Sequence, residues 1–323
     1  MIISRTPFRI SFAGGGTDLP DYYRVRPGCV VSTAINKYMF ISVHRPFDNR
    51  IRLKYSKTEI VDKVDLIEHP IIREALKLTG IADGIEITSV SDIPAQAGLG
   101  SSSSFAVGLL HALHAFKGEY VSADQLASEA CEIEMVRLGE PVGKQDQYIA
   151  AWGGMQFIRF NPDETVFVDP LICATETKQR LHERLMLFHC SGSRSARDIL
   201  NDQRRQMAEK LAGWNRMEML ALDLRGLLLN NGEISRVGSI LHESWTLKRM
   251  SGGKITNDAI DAWYARAREA GATGGKLLGA GGGGFLLFFV EPDARNAVKE
   301  ALSDLRLIPF EFEPQGSKII YLS

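Results

Sequence analysis

The chain has 323 residues, 45% of them hydrophobic and 24% charged, with a formal net charge of −1. That length suits one large or two medium domains, and the composition is that of a globular chain, not a disordered or fibrous one. The near-zero charge argues against a nucleic-acid footprint, and no apolar stretch approaches the roughly 18 residues of a membrane span, so neither is expected as a partner.

Met1 to Pro7 lacks a basic region followed by a long apolar run, so no signal peptide is expected. Cys29, Cys131, Cys173 and Cys190 are scattered with no C-x-x-C pair. This argues against a zinc site or a disulfide framework and fits a reducing, cytoplasmic setting. Phe8 to Phe12 alternates apolar and polar and predicts a strand. Gly14-Gly15-Gly16-Thr17-Asp18 breaks it. Val30 to Val43 is rich in β-branched and aromatic residues and predicts one or two strands. Arg50 to Tyr55 alternates again. Ile72 to Leu78 predicts a short helix ended near Gly80, and Gly84 to Val90 a strand.

Next comes Pro94-Ala95-Gln96-Ala97-Gly98-Leu99-Gly100-Ser101-Ser102-Ser103-Ser104. A helix-like apolar pattern follows, from Phe105 to Phe116. A glycine turn feeding a helix N-terminus places unpaired N–H groups and a positive dipole end where a polyphosphate can sit. A simple serine cap needs one Ser; four behind Gly-x-Gly favour phosphate. The loop is not a Walker motif, because no Lys follows the glycines at that spacing.

A second helix is expected from Ser122 to Leu138, capped by Ser122 with Gln125 in capping-box position. Gly139-Glu140-Pro141 ends it, and the polar loop to Gln147 carries Asp146 beside Lys144. Gly153-Gly154 predicts a turn, and Met155 to Phe160 and Arg184 to His189 predict strands. Ala196 to Asn230, Ile234 to Met250 and Asp258 to Ala270 are helical in pattern. A glycine-rich loop, Gly274 to Gly284, precedes an apolar strand at 285–290. That order excludes a dinucleotide fold, which needs a helix there. A helix near Asp293 to Leu305 and a strand near Ile319 close the chain. The class is α+β, with two halves meeting at a cleft and a boundary near 175–195.

Four small-residue loops thus converge as candidates. Arg9 to Asp18 offers an Arg, an Asp and open glycine backbone for hydroxyls or a phosphate; its alternative is a hairpin with Asp18 capping the next helix. Asp146 is a candidate to accept a proton or orient a hydroxyl. One of Glu132 and Glu134 is a candidate Mg²⁺ ligand with a serine hydroxyl of the second loop. They lie two positions apart, so at most one faces the cleft. In the fourth loop, four consecutive glycines indicate close backbone approach to a ligand.

Together these motifs resemble the GHMP small-molecule kinases (galactokinase, homoserine kinase, mevalonate kinase, phosphomevalonate kinase). Pro94 to Ser104 is similar to the family's P-x-x-x-G-L-G-S-S motif, Arg9 to Asp18 to the first motif and Gly274 to Gly284 to the third. Ala97 departs from the pattern, where Ser is expected. Leu138 to Gln147 with Ser101 to Leu110 resembles the branch acting on D-glycero-D-manno-heptose 7-phosphate at its anomeric carbon, which supplies activated heptose for surface polysaccharide; fucokinase-like enzymes share much of this pattern.

The resemblance implies ATP and Mg²⁺ as cofactors and a sugar phosphate as the partner molecule, on a monomer or homodimer. It implies a ribosomal protein S5 domain 2-like N-terminal domain (residues 1–185) that binds ATP and a ferredoxin-like C-terminal domain (186–323). Asp146 is then the base and Arg9 the cation beside it. Gly98, Leu99, Gly100, Ser101, Ser102, Ser103 and Ser104 hold the nucleotide, and Ser102 and Glu134 hold the metal. Gly15, Gly16, Thr17, Asp18, Gly281 and Gly282 face the sugar. Arg194, Arg197 and Lys276 are candidates for its own phosphate, since Arg pairs well with phosphate. A non-catalytic sugar-nucleotide sensor on this scaffold often lacks the base or the metal ligand; Asp146, Glu134 and Ser102 are all present.

Overall fold

The computed structural model describes residues 1–94, 98–190, 196–206, 210–252 and 255–323. Its elements in order are β1 (Ile2–Ala13), α1 (Pro20–Tyr23), β2 (Gly28–His44), β3 (Ile51–Lys54), β4 (Thr58–Val61), α2 (Pro70–Thr79), β5 (Ile85–Ser91) and α3 (Ser101–Lys117). Then come α4 (Ala123–Cys131), a π-helical turn (Glu132–Arg137), α5 (Gln145–Trp152), β6 (Met155–Phe160), β7 (Val166–Pro170), α6 (Thr175–Arg184) and β8 (Leu185–Cys190). The rest is α7 (Ala196–Gln206), α8 (Leu211–Leu229), α9 (Arg236–Met250), α10 (Asp258–Glu269), β9 (Ala272–Leu277), β10 (Gly284–Val290), α11 (Arg295–Ala301), β11 (Arg306–Leu307) and β12 (Lys318–Leu322).

The region from Val30 to Val43 is one continuous strand, β2, and it organises the first sheet. It pairs antiparallel with β1 along its length, with β5 over Met39–His44 and with β6 over Gly28–Thr33. The path β12-β1-β2-β5-β3-β4, with β6 and β7 branching from β2, makes eight strands. The last strand returns to this sheet, Ile2 opposite Leu322. Helix α3 packs on β1 and β2, and α8 from the second half also packs on them. The buried Phe105–Leu110, Ala112 and Leu113 fill the space beneath α3, so the helix that opens at the serine loop is anchored by its apolar side chains.

The second sheet has the order β11-β8-β10-β9, all antiparallel. Counted within this half, the strands read fourth, first, third, second, with helices between first and second and between third and fourth: the ferredoxin-like arrangement. Strand β10 is buried at every position, as its continuous apolar sequence requires. Residues 274–277, expected in the fourth loop, belong to strand β9 instead, paired with Leu286–Phe289. Gln145–Gln147, expected in a loop, form the first turn of α5.

Candidate active site

The N-cap position of α3 is Gly100, whose φ of 78° is left-handed and which has no side chain to cap the helix with. The N-terminal residue is therefore a glycine and not a serine. The serines are freed for other partners. Ser101, Ser102 and Ser103 line a cleft, and the positive end of the helix dipole opens into it. Ser102 Oγ donates to Glu134 Oε1 at 2.6 Å and Ser103 Oγ to Oε2 at 2.8 Å. Gln147 Nε2 donates to the same Oε2 at 2.7 Å. Burial pushes the Glu134 carboxyl up, the three donors pull it back down, and the Asp146 charge adds to the rise. Glu132 points the other way: it is half-buried and takes both hydrogen bonds of its carboxylate from Arg137. The π-helical turn lies between α4 and this choice of face, a geometry that recurs at functional sites.

Asp146 lies in the first turn of α5 and meets Arg9 of β1 in a bidentate pair. Arg9 Nε and Nη2 donate to Oδ1 and Oδ2, each at 2.7 Å, and Arg9 Nη1 donates to the Gly98 carbonyl at 2.8 Å. The guanidinium is 5% exposed and the carboxylate 25%, so the carboxylate has one edge on the cleft and an orientation fixed from behind. Lys144, expected beside Asp146, turns away: its ammonium pairs with Glu164 at 2.6 Å over the Tyr23 ring. Asp18 is buried, but it does not cap α1. It accepts from Gly16 N at 2.8 Å and Gln145 N at 3.2 Å. Burial and the nearby Asp146 charge raise its pKa, and those two N–H groups oppose the rise.

The opposite wall comes from the second half. Gly279, Ala280, Gly281 and Gly283 line the cleft with Lys248 of α9 and Lys276 of β9. Lys276 Nζ donates to the Phe12 carbonyl at 3.1 Å, and Lys248 Nζ donates to the Gly279 carbonyl. Gly15 and Gly16 line it from the first loop, together with Trp214 and Met217 of α8. A Cβ on Gly16 would sit 2.0 Å from the Trp214 ring, so only glycine lets the indole close that wall. Lys248, Trp214 and Met217 had no motif to mark them. The one signal for Lys248 was a basic residue in the last turn of a helix, which ordinarily means a dipole partner.

Several expected ligands are not brought to the cleft. The Thr17 hydroxyl donates to the Gly14 and Cys29 carbonyls and accepts from Cys29 N; it ties the loop to β2. Ser104 Oγ donates to the Pro7 carbonyl, pinning α3 to β1. Leu99 is fully buried, with its carbonyl accepting from Arg9 N. Gly282 does not line the cleft, its N–H donating to the Ile255 carbonyl. The Arg197 guanidinium is 57% exposed, 3.7 Å from Glu140, and outside the cleft lining. Arg194, like Ala95, Gln96 and Ala97, lies outside the described residues.

The start of α3, the Asp146 carboxylate and the cations Arg9, Lys248 and Lys276 thus share one cleft. The chain belongs to the GHMP kinase family, and so is a phosphotransferase. Residues 65–154 match the GHMP kinases N terminal domain and residues 225–305 the GHMP kinases C terminal domain. Among its relatives is the D-glycero-alpha-D-manno-heptose 7-phosphate kinase of Campylobacter jejuni, 28% identical over 98% of both chains. The bifunctional fucokinase/GDP-fucose pyrophosphorylase of Arabidopsis thaliana is 26% identical over 90% of this chain and 30% of its own length. Among solved structures, a D-glycero-D-manno-heptose 1-phosphate kinase from Bacteroides thetaiotaomicron superposes over 100% of both chains with a TM-score of 0.83 and 25% identity.

Proposed function

We propose that this protein is an ATP-dependent sugar kinase that phosphorylates the anomeric hydroxyl of D-glycero-D-manno-heptose 7-phosphate, giving the 1,7-bisphosphate for activated-heptose and surface-polysaccharide synthesis in the cytoplasm. The observation that carries the reading is the Arg9–Asp146 pair set directly beside the glycine-capped start of α3 in one cleft. The end-to-end similarity to a heptose 7-phosphate kinase supports the choice of sugar.

In this reading Asp146 accepts the proton of the anomeric hydroxyl as its oxygen attacks the terminal phosphorus of ATP. An anomeric hydroxyl is more acidic than other sugar hydroxyls, which eases this transfer. Arg9 holds that carboxylate in one orientation from behind. Asp18 accepts a hydrogen bond from a neighbouring sugar hydroxyl, and the Trp214 wall limits water on that side. Ser101 to Ser103 and the α3 dipole bind the nucleotide phosphates.

Glu134 and Ser102 suit Mg²⁺, being hard oxygen donors 2.6 Å apart on the cleft wall. No cluster of three or more His, Cys, Asp or Glu able to hold a metal occurs among the described residues. When bound, Mg²⁺ neutralises phosphate charge. A second reading, a fucokinase-like enzyme acting on an unphosphorylated sugar, is favoured by the relatives named for fucose.

The test is a coupled ADP-release assay with heptose 7-phosphate, heptose 1-phosphate, heptose, fucose and galactose, with ³¹P NMR of the product. Turnover greatest on heptose 7-phosphate, with new phosphate on the anomeric carbon, is the expected result. A preference for fucose would replace this reading with the second one.

A further inference from the structure

Two lysines enter the cleft without an acidic partner. Among the described residues neither Lys248 nor Lys276 forms an ion pair, whereas Lys144 nearby is paired with Glu164 at 2.6 Å. Each spends a hydrogen bond on a neutral carbonyl, Gly279 for Lys248 and Phe12 for Lys276. An ammonium has three donors, so each keeps donor capacity. Lys276 is 4% exposed, and a buried charge without a counter-charge is costly.

The charged groups around them come from four directions: Arg9 on β1, Asp18 in the following loop, Asp146 on α5, and Lys210 at the start of α8, which lines the adjoining pocket with Lys248. Arg9 is already committed to Asp146 on two bonds. Glu134 is held by Ser102, Ser103 and Gln147. The cleft lining carries Arg9, Lys248 and Lys276 against Asp18, Glu134 and Asp146, three of each sign when all are ionised, and of the cations only Arg9 is in an ion pair among the described residues. Burial and the charge of Arg9 bring Lys248 down to about 8. Burial, Lys248 and Arg9 bring Lys276 well below an ordinary lysine. The two ammonium groups repel each other, and a bound anion in contact with both would relieve that repulsion.

We propose that Lys248 and Lys276 form one receiving site for a terminal phosphate dianion. This deepens the kinase reading and rests on it. The dianion has two possible sources with the same chemistry, the terminal phosphate of the nucleotide and the phosphate already on the sugar.

Calorimetric binding separates them. The intact protein, Lys248→Met and Lys248→Arg are titrated with the imido analogue of ATP and with ADP, then with heptose 7-phosphate and with heptose. In Lys248→Met the ligand with the terminal phosphate should weaken by about 10- to 150-fold in one pair, the size of a lost charge-assisted bond. The other ligand of that pair should stay within about twofold. Lys248→Arg, which keeps the charge, should recover most of the loss. A loss in the nucleotide pair identifies the nucleotide as the source, and a loss in the sugar pair identifies the acceptor. At pH 8.5, buffers of different ionisation enthalpy should show proton uptake with the phosphate ligand in wild type and less in Lys248→Met. Equal weakening within both pairs, or no weakening in either, overturns the proposal. If wild type itself fails to separate heptose 7-phosphate from heptose, the choice of substrate fails, and the nucleotide pair alone decides the role of the lysines.

Discussion

Gly98 and Gly279 touch backbone to backbone. A Cβ on Gly279 would lie 2.4 Å from Gly98 Cα, and one on Gly98 would lie 2.6 Å from the Leu278 carbonyl oxygen. Both have left-handed φ, 81° and 76°. The contact joins the serine loop of the first half to the glycine-rich loop of the second, and Arg9 reinforces it by donating to the Gly98 carbonyl. The width of the cleft is therefore set by two glycines about 180 positions apart in sequence, each chosen because it has no side chain.

Gly279→Ala should open this joint. Gly118→Ala is the matched control, since Gly118 also has left-handed φ but meets nothing within 4 Å. The control should cost only the backbone strain, about 1–2 kcal/mol. Gly279→Ala should cost more in thermal unfolding and should also weaken nucleotide binding, which the control should leave alone. Equal behaviour of the two variants in both measurements would mean that the joint does not shape the site.

Asp146→Ala should remove phosphoryl transfer while ATP still binds. Loss of a proton acceptor typically costs about 10²–10⁴-fold in rate. Arg9, with 5% of its side chain exposed, loses two hydrogen bonds but keeps Gly98. A stability loss of about 1–3 kcal/mol should accompany the rate loss. Calorimetry with ATP and a coupled ADP-release assay separate the two effects. A variant with near-normal kcat would remove Asp146 from the role of base.

The glycine and serine loops were legible as turns and a helix start because backbone chemistry leaves a local mark: left-handed turns need glycine, as at Gly98 and Gly100. The two-residue offset of Glu132 and Glu134 was legible for a similar reason, since it forces them apart on any helix. Trp214 and Lys248 left no such mark. Each lies on a long helix where its residue type has an ordinary use, and only the packing of α8 across β1 and β2 brings Trp214 over Gly16. The start of α5 was misread as loop because Gln145-Asp146-Gln147 carries no apolar repeat; its side chains serve the site instead of the core. Thr17 and Ser104 were legible as polar residues in the right loops, but a hydroxyl binds a backbone carbonyl as readily as a ligand.

Glu134→Gln should raise the Mg²⁺ concentration needed for half-maximal activity, and Glu132→Gln should not. The new amide would present donors where Ser102, Ser103 and Gln147 already donate, so part of the three-donor cradle must reorganise. At Glu132 the change costs only an exposed pair with Arg137, a surface interaction worth about 0–1 kcal/mol. Magnesium titration of both variants is the measurement. A defect confined to Glu132→Gln would show that the other face of the turn holds the ion.

Lys248 gives the ligand-free protein a pH dependence with a definite sign. Its folded value of about 8 lies below the ordinary 10.5. Between these values the unfolded chain binds more protons than the folded one, so this group makes stability rise with pH. Its contribution is present above about pH 10.5 and lost as pH falls through about 8. Other groups act the opposite way: burial raises Cys190 to about 11 and Cys29 to about 12, and these lower stability as pH rises past 9. The informative quantity is thus the difference between wild type and Lys248→Met, followed by urea unfolding from pH 7.5 to 10. Wild type should gain on the variant as pH rises, by at most about 1.4 kcal/mol per pH unit for one proton. Saturating phosphate ligand should flatten the difference by holding Lys248 protonated in the folded state. A difference curve independent of pH would mean that the Lys248 ammonium is not destabilised in the empty cleft.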